Sequence, residues 1–482
     1  MRYAVIARIL GLLMMLFSLT LLPPVAISLL YADGQAIAFM EGFGIVLVLG
    51  LLVWWPTRRD TLELRVRDGF LITSLFWIVL SLAGSVPFFL SSQPDMDYVD
   101  ALFEAVSGLT TTGATVLTGL EELPESILWY RQQLQWLGGI GIIVLAVAIL
   151  PMLGIGGMQL YRAEVPGPVK DTKLTPRIAE TAKALWYIYV SLTGACALAY
   201  WFAGMNWFDA LGHSFSTVAI GGFSTYDASI GQFDSHAIEL IAAIFMFLSG
   251  INFALHFMAW RQRNLWSYLR DPEFGFYGVV LLGACLIAVA ILILTRTLDP
   301  VTATTRGFFQ VVSIATTTGF TAENFGAWPG FLPVMLILMA FMGGCGNSTA
   351  GGMKAIRILL IYRQGAREIR RLLHPNAVIP IKLGHRPVSD RVLQAVWGFF
   401  SMYMVVFVIL LLINLAVGLD QVTAWTAVVA TLTNLGPGLG GVASTFQAMP
   451  DLAKCSGMAA MVLGRLEIFT LLVLFTPDFW RH

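Results

Sequence analysis

The chain has 482 residues with no formal net charge, 57% of them hydrophobic and only 12% charged. Soluble proteins carry about 25% charged residues, and apolar runs this long and this numerous exclude a soluble domain on hydropathy alone. The composition is that of a polytopic membrane protein.

In chain order, the first apolar run covers residues 4–30 and follows Arg2 and Arg8, as a signal peptide would. It is too long for a signal-peptide core, holds Pro23-Pro24 and lacks a small-x-small cleavage site, so it reads as a retained, proline-kinked helix. A second helix is predicted near residues 36–55. From residue 70 onward one unit recurs four times: an apolar helix, a short amphipathic segment, a glycine-bearing loop and a second apolar helix. The first unit is 70–90, 98–109, Gly113 and 127–153; the second is 183–203, 207–218, Gly222 and 236–260. The third is 276–294, 302–315, Gly319 and 329–362; the fourth is 391–417, 421–432, Gly436 and 456–475. The implied units are 1–68 (two helices and a linker), 69–161, 162–270, 271–390 and 391–482. The fold class is all-α: two N-terminal helices and four pseudo-symmetric helix–pore-loop–helix repeats around a central ion pore.

The short segments are about a dozen residues, less than the ~20 needed to span a bilayer, so each must enter and turn back. Irregular backbone survives at membrane depth only inside protein or beside a wet cavity. The four turning points read Thr110-Thr111-Thr112-Gly113-Ala114-Thr115, Ala219-Ile220-Gly221-Gly222-Phe223-Ser224, Thr316-Thr317-Thr318-Gly319-Phe320-Thr321 and Thr433-Asn434-Leu435-Gly436-Pro437-Gly438. Glycine frees the backbone to turn carbonyls toward an axis. Four such loops can replace the water shell of a monovalent cation. Candidate ion-contacting residues are Thr111, Thr112, Gly113, Ile220, Gly221, Gly222, Thr317, Thr318, Gly319, Asn434, Leu435 and Gly436. Asp100, Asp209 and Thr302 are predicted N-caps of the short helices. The negative ends of those helices would then face the loops.

Basic residues cluster in the polar linkers. They are Arg58, Arg59, Arg65 and Arg67; then Arg162, Lys170, Lys173, Arg177 and Lys183; then Arg261, Arg263 and Arg270; and the group from Lys354 to Arg391. With Arg2, Arg8 and Arg481 these are 24 of 29 basic residues, which places the linkers and both termini in the cytoplasm. Asp95, Asp97, Asp100, Glu121, Glu122, Glu125, Asp227, Asp234, Glu323 and Asp451 fall on the other side, beside the glycine loops, where they would concentrate cations. Cys196, Cys285, Cys345 and Cys455 are isolated and read as small core residues, and the six histidines form no metal-ligand spacing. The clusters Gly138-Gly139-Ile140-Gly141 and Gly154-Ile155-Gly156-Gly157 complete no nucleotide-binding motif and read as close-packing sites. No catalytic grouping is present, so an enzyme is not expected.

The four loops, the stretch GIGGMQLYRAEVPGPVKDTKLTPRIAETAKALWYIY and the C-terminal GRLEIFTLL together resemble the Trk/Ktr/HKT superfamily of potassium transporters, and within it the membrane subunit of bacterial Trk uptake. The resemblance spans essentially the whole chain. It implies potassium as the transported substrate with no bound cofactor, a homodimer in the bacterial inner membrane, and a cytoplasmic nucleotide-binding ring of the TrkA type; no nucleic-acid partner is expected. None of the loops reads TVGYG, and Ala219-Ile220 and Asn434-Leu435 break the threonine pattern, which predicts fewer well-ordered ion sites.

The third repeat interrupts its second helix with Gly343-Gly344-Cys345-Gly346-Asn347-Ser348-Thr349-Ala350-Gly351-Gly352, a poor helix. The preceding apolar run is too short to finish crossing, so the break belongs inside the membrane, below the loops. The resemblance implies that Gly343, Gly344, Gly346, Asn347, Ser348, Thr349, Gly351 and Gly352 form a gate. Arg465 is placed near the middle of the last helix, where a charge is costly and usually functional; it is either a structural pairing or a positive barrier under the filter, and the resemblance favours the barrier. Glu467, two residues on, is on a different face. A proton- or sodium-coupled symporter is the alternative function. It would call for ionisable relays within helices, of which the sequence offers few.

Overall fold

The computed structural model describes residues 2–59, 66–139, 141, 178–384 and 386–481. Arg65, the linker residues Arg162, Lys170, Lys173 and Arg177, the 154–157 glycine cluster and the end of the helix expected over 127–153 lie outside them. The N-terminal run divides into α1 (Tyr3–Leu19) and α2 (Leu22–Tyr31), with Pro23 in the first turn of α2, where a missing N–H costs little. α3 (Ala36–Thr57) returns alongside α1. A β-carbon on Gly11 would meet the carbonyl oxygen of Gly50 at 2.7 Å, and one on Gly50 that of Gly11 at 2.9 Å. Backbones this close require small residues at the crossing.

The first repeat is α4 (Val66–Leu90), α5 (Tyr98–Leu109) and α6 (Glu125–Gly139). The second is α7 (Ile178–Phe202), α8 (Trp207–Val218), α9 (His236–Ser249) and α10 (Phe253–Gln262), followed by the short α11 (Trp266–Arg270). The third is α12 (Pro272–Leu294), α13 (Pro300–Ala315), α14 (Leu332–Met339) and α15 (Ala355–Leu373). The fourth is α16 (Asp390–Ala416), α17 (Gln421–Leu432), α18 (Asp451–Arg465) and α19 (Phe469–Leu472). A terminal turn, α20 (Pro477–Trp480), and one two-residue strand pairing between Lys382–Leu383 and Arg386–Pro387 complete the described chain. Among the described residues six helical spans are long and apolar enough to cross a membrane, or up to eight if each bent pair counts as one. The architecture is the expected membrane-spanning all-α one.

Two second helices expected to be continuous are broken. Between α9 and α10 the axis turns by 90° at residues 250–252, and between α18 and α19 by 104° at residues 466–468. Glu467 and Ile468 both have positive φ, which no helix tolerates. Arg465 is therefore the last residue of its helix, beside a break, rather than mid-helix. Local signals were present, Ser249-Gly250-Ile251-Asn252 at the first break and Gly464-Arg465-Leu466-Glu467 at the second, with Asn252 capping α10, but the long apolar runs around them read as continuous helices.

The repeats interlock cyclically. α6 packs on α8, α9 on α13, α14 on α17, and α18 back on α5, so each repeat's second helix supports the next repeat's short helix. Two large apolar cores fill the intervals, and a small third joins the starts of α15 and α16. One holds the N-terminal helices, repeat one and the adjoining face of repeat four; the other joins repeats two, three and four. Three of the four cysteines are buried as expected; Cys455 is exposed.

Candidate functional site

The four short helices end in one motif. In α5 the Thr111 N–H bonds the Gly108 carbonyl and the Thr112 N–H bonds that of Ser107. The same pair recurs from Ile220 to Thr217 and Gly221 to Ser216, from Thr317 to Ile314 and Thr318 to Ser313, and from Asn434 to Thr431 and Leu435 to Ala430. This is a Schellman cap, whose turning residue is left-handed. Thr111, Ile220, Thr317 and Asn434 occupy that position with φ of 54°, 56°, 68° and 57°. Three of the four are β-branched, for which positive φ is strained; such strain persists only where the surroundings impose it, commonly at functional sites.

Two residues on, Gly113, Gly222, Gly319 and Gly436 also have positive φ. An added β-carbon at Gly113 would land on the carbonyl oxygen of Gly221, at Gly222 on that of Thr318, at Gly319 on that of Leu435, and at Gly436 on that of Thr112. Each loop thus sets one carbonyl against the glycine of the preceding loop, and the fourth closes on the first. Eight of the twelve predicted contact residues make these contacts; the other four, Thr111, Ile220, Thr317 and Asn434, are the left-handed residues of the caps.

Above the ring a cavity of about 450 Å³ is lined by all four glycines together with Asp227, Glu323 and Arg131. Of the acidic residues expected to line a vestibule, only Asp227 and Glu323 do so. Several of the others are engaged locally: Asp100 pairs with Lys454 at 2.6 Å and Asp234 with Arg306 at 2.9 Å. Asp97, Asn206, Asp299 and Asp420 are the N-caps of the short helices. The predicted caps Asp100, Asp209 and Thr302 lie three residues further in and donate their backbone N–H to the true caps. Hydrogen bonds from Thr302 and Thr423 hold the Asp299 and Asp420 carboxylates below their usual range. Whatever those caps contribute is present at neutral pH and lost only as pH falls through the lowered values.

Sequence reading missed the side chains that brace the ring. Position nine before the glycine carries Glu104, His213 and Gln310 in the first three repeats, all fully buried. Glu104 accepts from the Val116 N–H at 3.1 Å, His213 Nε2 meets Ser224 Oγ at 2.9 Å, and the Gln310 amide donates to the Phe320 carbonyl at 3.3 Å. Arg131 joins Glu104 at 2.7 Å with both side chains at most 1% exposed, and donates to the Ser224 carbonyl at 3.0 Å. Gln135 donates to the Gly221 carbonyl at 2.7 Å and accepts from the Phe223 N–H at 3.0 Å. A common register across repeats was the signal that could have found the first three. Glu104→Ala leaves the Arg131 charge buried and unpaired, so a loss of about 3–5 kcal/mol is expected, read as a lower Tm of the detergent-purified protein.

Below the ring lies the segment 343–352. The Gly351 N–H donates to Thr317 Oγ1 at 2.7 Å, the Gly352 N–H to the Thr433 carbonyl at 2.9 Å, and Thr349 Oγ1 to the Val218 carbonyl at 3.0 Å. The segment therefore touches the end of α8 and the undersides of loops three and four. Arg465 donates to the Thr349 carbonyl at 3.1 Å and to the Gly138 and Gly139 carbonyls at 2.7 Å and 3.2 Å. It ties this segment to repeat one. Glu467 pairs instead with Arg357, whose guanidinium also stacks on Phe399. Among the described residues no group of acidic, histidine and cysteine side chains is arranged to hold a metal ion.

The profile of the TrkH family, described as a cation transport protein, matches residues 35–481. The chain is 59% identical to the Trk system potassium uptake protein TrkH of Halomonas elongata and 56% identical to that of Escherichia coli K12, covering 100% of both partners in each comparison. Its fold superposes on the crystal structure of the potassium transporter TrkH from Vibrio parahaemolyticus with a TM-score of 0.91 at 53% identity, again over the full length of both chains. A cyclic fourfold arrangement of capped short helices and a family match over nearly the whole length converge: the chain belongs to the TrkH family of cation transport proteins.

Proposed function

We propose that this protein takes up potassium across the bacterial inner membrane through a gated, channel-like pore, with the linkers and both termini in the cytoplasm. The observation that carries the reading is the closed ring in which each loop's carbonyl abuts the glycine of the preceding loop, beneath a cavity that all four glycines line. Backbone oxygens on a fourfold plan can replace the hydration shell of a monovalent cation. Thr111, Thr112, Gly113 and their counterparts in the other loops form the filter; residues 343–352, with Arg465, form the gate. The relatives are named for a Trk system. The proposed assembly is a homodimer bearing a cytoplasmic nucleotide-binding ring of the TrkA type.

The coupled symporter is the weaker reading. The fold buries more charges than the sequence suggested, Glu104, Arg131, Glu239, Arg357 and Lys454 among them. These are engaged in local pairs: Glu104 with Arg131, Glu239 with Arg306, Arg357 with Glu467, Lys454 with Asp100. A relay needs ionisable groups in series along a path. In liposomes holding the purified protein, rubidium flux should follow its own gradient and be indifferent to an imposed pH gradient. Uphill rubidium accumulation driven by a pH gradient would establish coupling and overturn the channel-like reading.

A further inference from the structure

We propose that Glu273 is the latch of the segment 343–352, a positioning residue through which the turn between repeats two and three controls that segment. The inference rests on the gate reading given above. Glu273 lies in the first turn of α12, two residues after Asp271, which caps that helix by accepting from the Phe274 N–H at 2.8 Å. Its side chain is 8% exposed, and one carboxylate oxygen accepts two backbone donors, the Gly346 N–H at 2.6 Å and the Ile356 N–H at 3.1 Å.

Those two donors belong to different parts. Gly346 is inside the glycine-rich segment, whereas Ile356 is in the first turn of α15, the helix that resumes after it. A carboxylate at a helix N-terminus is favoured by the partial positive charge there, and charge-assisted hydrogen bonds are stronger than neutral ones. The segment's other seats are made to the loops and to the α9–α10 break: Cys345 N–H to the Gly250 carbonyl at 2.8 Å, and Phe253 N–H to the Asn347 carbonyl at 3.1 Å. Lys354 and Arg465 also reach the segment, donating to the Ala350 and Thr349 carbonyls, whereas Glu273 holds it as a carboxylate acceptor. It stands three residues past α11, whose Trp266 and Leu269 are exposed. A displacement of that turn carries the start of α12 with it, and the oxygen that holds both Gly346 and Ile356 moves. A segment with five glycines in ten residues has little helical preference of its own to resist release.

Three variants separate acceptor, reach and charge. Glu273→Gln keeps a carbonyl oxygen at the same reach, Glu273→Asp keeps the charge but is one methylene short, and Glu273→Ala removes both. Each is made in a background with Cys196, Cys285 and Cys455 all replaced by serine, leaving Cys345 (1% exposed) as the one thiol and the reporter within the segment. Alkylation of Cys345 by a small maleimide in detergent should accelerate on the order of ten-fold or more in the Ala and Asp variants, as expected for loss of hydrogen bonds to a charged acceptor. The Gln variant, which keeps the acceptor but loses the charge, should fall between the parent and the Ala and Asp variants. Rubidium flux in liposomes should rise in the same order, with the rubidium-to-sodium ratio constant. Unchanged Cys345 labelling in the folded Asp variant would overturn the latch. Faster labelling with unchanged flux would show that Glu273 holds the segment but the segment is not the gate, which overturns the gate reading instead.

Discussion

Replacing Gly319 with serine is expected to lower the rubidium-to-sodium flux ratio by roughly 5- to 30-fold, the equivalent of the ~1–2 kcal/mol that a side chain pays in left-handed backbone. Gly319 has a φ of 83°, and a β-carbon there would land on the Leu435 carbonyl oxygen and 2.7 Å from Pro437 Cδ. Backbone strain and collision act together, and both move a carbonyl of the ring. Gly113→Ser and Gly222→Ser should behave alike, because their β-carbons meet the Gly221 and Thr318 carbonyls. Gly436→Ser should be the mildest of the four, since its nearest obstacle, the Thr112 oxygen, is 2.8 Å away. The check is dual-isotope flux into liposomes. Wild-type ratios in all four variants would show that the ring does not select ions.

Arg465→Ala is expected to raise flux in the resting protein by an order of magnitude or more while leaving the rubidium-to-sodium ratio unchanged. The guanidinium spans the 343–352 segment and repeat one through Thr349, Gly138 and Gly139, and hydrogen bonds to a charged group are each worth about 1.5–3 kcal/mol. Arg465→Lys tests geometry: it retains the charge, yet an ammonium cannot fork across two separated sets of carbonyls. If charge alone blocks the pore, lysine will behave as the parent; if bridging holds the segment shut, lysine will leak. Gly351→Ala should give the same phenotype from the other side, since its β-carbon would collide with the Thr433 carbonyl that receives Gly352. A change of selectivity without a change of rate in either variant would assign the segment to the filter.

The sequence by itself determined the membrane class, the four-unit plan and the short helices. The bounds 98–109, 207–218 and 421–432 coincide with α5, α8 and α17, because a glycine loop marks the end of each short segment, although the caps of α5 and α8 lie three residues before the ones the sequence suggested. The loop glycines were legible because glycine takes positive φ cheaply, whereas the equally left-handed Thr111, Ile220, Thr317 and Asn434 carried no such mark. Other features were decided only by the tertiary structure. Which carbonyl meets which glycine depends on the cyclic packing of α6, α9, α14 and α18 on the next short helix, a relation between residues about a hundred positions apart. The breaks after Ser249 and Arg465 lie in long apolar runs, and their direction, 90° and 104°, is a relation of the fold that an apolar run does not show. Glu104 with Arg131, and Glu273 with Gly346 and Ile356, carry no local signal either. A lone charge in an apolar helix announces its cost in lipid, but only the fold supplies the partner that makes it bearable.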